Sequence, residues 1–215
     1  MLTIRNLTHT YSNGVCALSN INLDIPKGMF GLLGPNGAGK STLMRTIATL
    51  QQPSAGSIRF GTTDVLKEPD RLRRVLGYLP QEFGVYPRGS AYEILDHIAV
   101  MKGFVNAGER RDMVEALLHQ TNLYADRKKR LATFSGGMHQ RFGIAQALIG
   151  DPKLVIVDEP TAGLDPEERN RFYNLLSTIG EDVVVILSTP IVEDVAVLCS
   201  NMAIMAGAKV VLQGT

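Results

Sequence analysis

The sequence predicts an α/β fold with a helical segment inserted into it, and three observations carry that prediction. Val75 to Leu79, Leu154 to Val157 and Val183 to Leu187 are short Val/Ile/Leu runs without polar alternation, the pattern of strands buried on both faces of a parallel sheet. Met29 to Leu33 is a fourth apolar run, and it leads into a glycine-rich segment followed by helix formers. Between the run at Val75 and the run at Leu154 lie two helical patterns, one from Ser90 and one from about Glu109 to Gln120, with no strand-like run interrupting them.

Taken in order, Met1 to Thr10 alternates apolar and polar residues and lacks the pattern of a secretion signal. Ile21, Leu23 and Ile25 alternate with polar neighbours, a half-exposed strand ending at Pro26-Lys27-Gly28. Ser41 to Leu50 has apolar residues at helical spacing, so this region reads as strand, loop, helix. Ser90 with Glu93 forms a capping box that opens a helix bearing Ile94, Leu95, Ile98 and Met101, and a second helical pattern runs from about Glu109 to Gln120. Residues 85 to 150 or thereabouts therefore form a helical insertion. Asp165-Pro166 is a helix start, with Phe172, Leu175, Leu176 and Ile179 as its apolar stripe and Gly180 as its stop. Ala203 to Ala206 and Lys209 to Leu212 flank Gly207 as a closing hairpin.

Composition narrows the function classes. Of 215 residues 45% are hydrophobic, enough for a substantial core. Twenty-two Lys plus Arg stand against 21 Asp plus Glu, so there is no basic excess with which to neutralise a nucleic-acid backbone, and no nucleic-acid partner is expected. No apolar run approaches the roughly 20 residues of a membrane-spanning helix. Cys16 and Cys199 have neither metal-ligand nor redox-pair spacing and read as reduced thiols. Arg71-Leu72-Arg73-Arg74 and Arg127-Lys128-Lys129-Arg130 read as solvated faces.

Three motifs carry chemistry. Gly34-Pro35-Asn36-Gly37-Ala38-Gly39-Lys40-Ser41-Thr42 fits the phosphate-binding loop pattern in the strand-to-helix context that pattern requires. Its backbone N–H groups can wrap a phosphate, Lys40 would reach the β- and γ-phosphates, and Ser41 would ligate Mg²⁺. Asp158-Glu159 follows the buried run Leu154 to Val157, which places two carboxylates at the carboxyl edge of the sheet. Asp158 would hold Mg²⁺ and Glu159 would polarise an attacking water. Ser135-Gly136-Gly137 stands at the start of a helix bearing Phe142, Ala145, Leu148 and Ile149, a second anion-binding helix end distant in sequence from the first.

With these motifs in this order, the chain resembles the nucleotide-binding domain of an ATP-binding cassette (ABC) ATPase over essentially its whole length. The resemblance implies a P-loop NTPase (RecA-like) core with an N-terminal antiparallel β portion and an inserted helical subdomain. Residues 1–215 would form one nucleotide-binding domain, its core at about 1–84 and 151–215 and its helical subdomain at about 85–150. By the same resemblance Tyr11 corresponds to the aromatic residue that stacks on adenine, and Gln81 to the glutamine that senses Mg²⁺ and the transmembrane partner. Phe134 to Arg141 resembles the family signature, and Ala162-Gly163-Leu164-Asp165 its dimer-contacting loop. Phe83 and Tyr86 serve either a partner's docking helix or the packing of the helical subdomain.

The implied activity is hydrolysis of ATP with Mg²⁺ by a subunit that sits on the cytoplasmic face of the membrane through a separate transmembrane permease. Two such domains would pair head to tail, each nucleotide lying between one subunit's phosphate loop and the other's Ser135-Gly136-Gly137. Met29 to Leu50, with Phe30-Gly31-Leu32-Leu33 ahead of the loop, is similar to exporters of the ABC-2 type. Two rival readings are a nucleotide-gated module with little turnover and a soluble ABC ATPase outside transport.

The sequence departs from the family at Pro190. The family places a γ-phosphate-contacting histidine after the strand equivalent to Val183 to Leu187, and this chain reads Ser188-Thr189-Pro190. Its four histidines, His9, His97, His119 and His139, all precede Asp158. Proline has neither an imidazole nor an N–H, and loss of one preorganised donor costs about a hundred- to a thousandfold in rate. ATP binding is expected to be retained and hydrolysis slowed. Met138, in place of the signature's usual glutamine, spares the Ser135 hydroxyl and the glycine amides and is expected to matter less.

Overall fold

The computed structural model describes residues 1–81, 89–160, 166–179 and 182–215. In chain order, β1 (Leu2–Thr10) and β2 (Cys16–Ile25) precede β3 (Gly28–Leu33), which feeds α1 (Lys40–Ile47). β4 (Ala55–Phe60), β5 (Thr63–Asp64), α2 (Pro69–Val75) and β6 (Leu76–Leu79) follow. Then come three consecutive helices, α3 (Ala91–Met101), α4 (Ala107–Gln120) and α5 (Gly136–Leu148), with two short 3₁₀ turns between the last two. The chain closes with β7 (Leu154–Asp158), α6 (Pro166–Ile179), β8 (Val184–Thr189), α7 (Val192–Leu198), β9 (Asn201–Ala206) and β10 (Lys209–Gly214).

Two sheets result. An antiparallel sheet has the order β2-β1-β4-β5, and a six-stranded sheet has the order β10-β9-β3-β8-β7-β6, parallel except where β10 pairs with β9. The apolar runs lack polar alternation because both faces of the parallel sheet are covered. Leu154 and Ile156 of β7 pack with the antiparallel sheet and α1, while Val155 and Val157 pack with α3, α4, α5 and α6. β8 divides in the same way, Val184 and Ile186 to one side and Val185 and Leu187 to the other. None of the described helices is long and apolar enough to cross a membrane.

Several boundaries differ from the sequence expectation. α1 stops at Ile47 rather than Leu50, because Thr49 turns into the left-handed region and Gln51 folds back to donate to Thr42 O, which leaves Leu50 exposed. Val75 ends a helix instead of starting a strand; its carbonyl already accepts from Lys153 N, and extended backbone begins at Leu76. That helix, with Pro69 in its first turn, is hidden in the sequence by its arginines. The capping box at Ser90 forms as expected, with Ser90 Oγ accepting from Glu93 N and Glu93 reaching back to Ser90 N. Met101, expected on the apolar stripe of α3, is exposed at its last turn. Arg127 lies over the Tyr124 ring at 3.9 Å instead of standing free in solvent. Phe172, Leu175 and Leu176 are buried as expected, whereas Asp165, Gly180 and the Ile179 side chain lie outside the described residues.

Candidate nucleotide site

The glycine-rich loop joins β3 to α1 at the carboxyl edge of the parallel sheet. Two of its glycines are required by space as well as by conformation: a Cβ on Gly39 (φ 102°) would lie 2.3 Å from Ala17 O, and one on Gly34 would lie 2.3 Å from Met205 O. Gly39 is the N-cap of α1, so the loop's backbone amides and the positive end of the helix face the same space. Lys40, the first helical residue, is buried, and its Nζ donates to Gly34 O at 2.7 Å and Pro35 O at 3.3 Å.

The second wall comes from β7 and its neighbours. Asp158 ends the strand, buried, and Glu159 follows with φ 47°, its N–H donating to Ser188 O on β8. A non-glycine residue in the left-handed region costs on the order of 1 kcal/mol or more and recurs at functional sites. Here it brings Glu159 Oε1 to 3.5 Å from Lys40 Nζ and lets Glu159 Oε2 accept from Gln81 Nε2 at 3.0 Å. On the opposite side Tyr11 shares a hydrogen bond of 2.9 Å with Thr42 Oγ1, and His9 meets its ring edge-on with centroids 4.7 Å apart.

These groups bound one polar cleft of about 440 Å³, lined by Tyr11, Val15, Cys16 and Ala17 on one side, Asn36 to Thr42 along the floor, and Gln81 and Glu159 on the other. A larger apolar cavity of about 510 Å³ lies between α4 and the turn before β7, lined by Phe104, Met113, Leu117 and Val183 among others. Among the described residues Asp151 is the sole ionisable group on that lining, which makes the polar cleft the better candidate for chemistry.

A cation fits beside the cleft. Asp158 Oδ1 and Ser188 Oγ, on residues paired across β7 and β8, are buried oxygens with no hydrogen-bond partner among the described residues. Buried oxygens of this kind are almost always satisfied, and hard oxygen donors suit Mg²⁺, which takes few protein ligands and completes its shell with water and phosphate. No cluster of three or more His, Cys, Asp or Glu able to form an all-protein cage occurs among the described residues. Burial first, and the Asp158 carboxylate second, raise the Tyr78 hydroxyl above its ordinary pKa.

The structure thus gathers Tyr11, Asn36 to Thr42, Gln81 and Glu159 around one cleft, with Asp158 at its sheet edge, while Gly34 and Pro35 lie off the lining and bond Lys40 through their carbonyls. Ser135, Gly136 and Gly137 are absent from the cleft lining. Ser135 caps α5, its Oγ accepting from Met138 N at 3.2 Å, and it is exposed together with Gly136. Pro190 is exposed directly after β8. Thr189 before it is extended, as proline favours, and its hydroxyl bonds the buried Asp194 at 3.1 Å. Phe83, Tyr86 and the Ala162 to Asp165 segment lie outside the described residues. Sequence reasoning missed Val15, Cys16, Ala17 and Ser188. Ser188 was legible as a polar residue inside an otherwise apolar strand, while the other three carry no pattern and line the cleft only because β2 passes the loop.

Comparison with known proteins agrees with this geometry. A family model described as ABC transporter matches residues 18–162. The linearmycin resistance ATP-binding protein LnrL of Bacillus subtilis (strain 168) is 35% identical over 217 residues, covering 100% of this chain and 69% of that protein. ABC transporter A family member 8 of Dictyostelium discoideum is 34% identical over 218 residues, covering 98% of this chain, which spans only 26% of that relative's length. Among solved structures, the dimeric form of MJ0796, a bacterial ABC transporter cassette, superposes with a TM-score of 0.91 at 26% identity, covering 100% of this chain and 98% of that one.

Proposed function

The chain belongs to the ABC transporter family of ATP-binding proteins, and from that premise we propose that it is the subunit whose ATP binding and hydrolysis at a head-to-tail dimer interface drive a separate transmembrane permease. One observation carries the reading: Glu159 is held between Gln81 and Lys40 at the mouth of the glycine loop. The phosphates of ATP replace Gly34 O and Pro35 O as acceptors for Lys40, while the loop amides and the Thr42 hydroxyl bind the remaining oxygens. Tyr11 stacks on the base. Asp158 and Ser41 would hold Mg²⁺ with Gln81 nearby, and the ion would neutralise charge on the β- and γ-phosphates.

Glu159 orients the attacking water and takes its proton as the bond from the γ-phosphorus to its leaving oxygen breaks, giving ADP and phosphate. Ser135 and Gly136, exposed at the start of α5, and the buried Gly137 after them lie away from their own chain's cleft and would close the partner's nucleotide, with Asp165 assigned to the dimer-contacting loop. Such a subunit would sit peripherally on the cytoplasmic face of the membrane. Pro190 favours a second reading within the first: with no imidazole at the end of β8, the site closes on ATP and turns over slowly.

The test is ATP-driven dimerisation of Glu159→Gln followed by light scattering. The expected result is a dimer with ATP, a monomer with ADP, and loss of the ATP dimer in Ser135→Arg/Glu159→Gln. A protein that stays monomeric with ATP, or a dimer indifferent to Ser135, overturns the reading.

A further inference from the structure

Helix α5 has no acidic residue of its own in its first turn. The anion at that end is supplied by α6. Glu168 lies against Gly137, its Oε2 2.7 Å from where a Cβ on Gly137 would stand, so the glycine is needed to seat this carboxylate. The same Oε2 accepts from Arg141 Nη1, one helical turn beyond Gly137 on the same face. Both side chains are largely buried, 13% and 21% exposed. Arg171 reaches the other Glu168 oxygen at 3.4 Å but also pairs with Glu167.

A carboxylate beneath a helix N-terminus has two effects. It stabilises the helix through the macrodipole, and it repels any second anion brought to the same end. Arg141 offsets the charge behind both effects and leaves an ion pair that ties the first turns of α5 to α6 without repelling an anion. We propose that the Glu168–Arg141 pair is a positioning element that keeps the Ser135–Gly137 helix end ordered and electrically neutral, so that it receives the γ-phosphate of the nucleotide on a partner subunit. This rests on the dimer reading above. α6 is the helix that follows Asp158 and Glu159, whereas the start of α5 serves the opposite nucleotide, so the pair ties one subunit's contributions to the two sites together.

The experiment is an ATP titration of dimer formation in the Glu159→Gln background for four proteins: parent, Arg141→Met, Glu168→Gln and the double variant. With Arg141 gone, Glu168 Oε2 loses its buried counter-charge while Arg171 stays at the other oxygen, and the ATP concentration for half-dimerisation should rise about tenfold. Glu168→Gln keeps the shape and should shift it by less than about threefold. The double variant should return to the Glu168→Gln value, and Arg141→Lys should retain most of the parent's behaviour. Binding of ATP to the monomer should be the same in all, since that site contains neither residue.

A double variant as weak as Arg141→Met shows a packing role and overturns the proposal, as does an Arg141→Met protein that dimerises like the parent. A parent that fails to dimerise overturns the function reading and this inference with it, whereas a dimerising parent with additive variants overturns this inference alone.

Discussion

Gln81 Nε2 donates to Glu159 Oε2 at 3.0 Å, joining residues 78 positions apart across the carboxyl ends of β6 and β7. The glutamate's other oxygen lies 3.5 Å from Lys40 Nζ. The carboxylate proposed to activate water is therefore oriented by one neutral donor and one nearby cation. Removing the neutral donor, as in Gln81→Ala, should lower kcat by about tenfold with less than a threefold change in ATP affinity, since an orienting hydrogen bond to a charged group is worth about 1.5–3 kcal/mol at most. Steady-state hydrolysis beside equilibrium ATP binding checks this. A loss confined to affinity would remove Gln81 from the hydrolytic step.

Pro190 stands where the donor completing such a site is expected. Restoring it with Pro190→His should raise Mg²⁺-dependent turnover by about a hundredfold while leaving ATP affinity within a few-fold. The Thr189 hydroxyl, bonded to Asp194 and to Ile191 N, should hold the turn in both proteins. Equal turnover of the two would show that hydrolysis does not depend on this position.

Two separable contributions are proposed for Tyr11. Its ring is available to a base, and its hydroxyl bonds Thr42 Oγ1. Tyr11→Phe keeps the ring and should weaken ATP binding by about threefold, the worth of a partly exposed hydrogen bond. Tyr11→Ala also removes stacking and should weaken it by about tenfold or more. Isothermal titration with a non-hydrolysable ATP analogue distinguishes them, and equal losses in the two variants would count against stacking.

The two cysteines should differ sharply toward a thiol reagent. Burial, and then the Asp194 carboxylate, push the Cys199 thiol up to about 12, so at pH 8 roughly one molecule in ten thousand carries its thiolate. Its reactivity should climb with each unit of pH up to that value. Cys16 is exposed and lines the nucleotide cleft. A maleimide at pH 7.5 should label Cys16 and spare Cys199, and ATP should slow labelling of Cys16. Peptide mass spectrometry reads both, and Cys16 labelling indifferent to ATP would place the nucleotide elsewhere.

Much of this was legible in the chain itself because the information is local. The phosphate loop needs glycines at set spacings, here Gly34, Gly37 and Gly39, between a strand and a helix, the capping box at Ser90 and Glu93 needs two residues three apart, and strands buried on both faces announce themselves as unbroken apolar runs. Those patterns also determined that Asp158 and Glu159 end a strand at the edge where ligands of such sheets bind. Tertiary structure alone decided what each meets. That Glu159 lies between Lys40 and Gln81, that Ser188 stands beside Asp158, that β2 brings Cys16 into the cleft and that Glu168 seats on Gly137 are consequences of strand order and helix packing. Sheet order β3-β8-β7-β6 puts residues from distant parts of the sequence side by side, and no spacing in the chain encodes which of them come within reach.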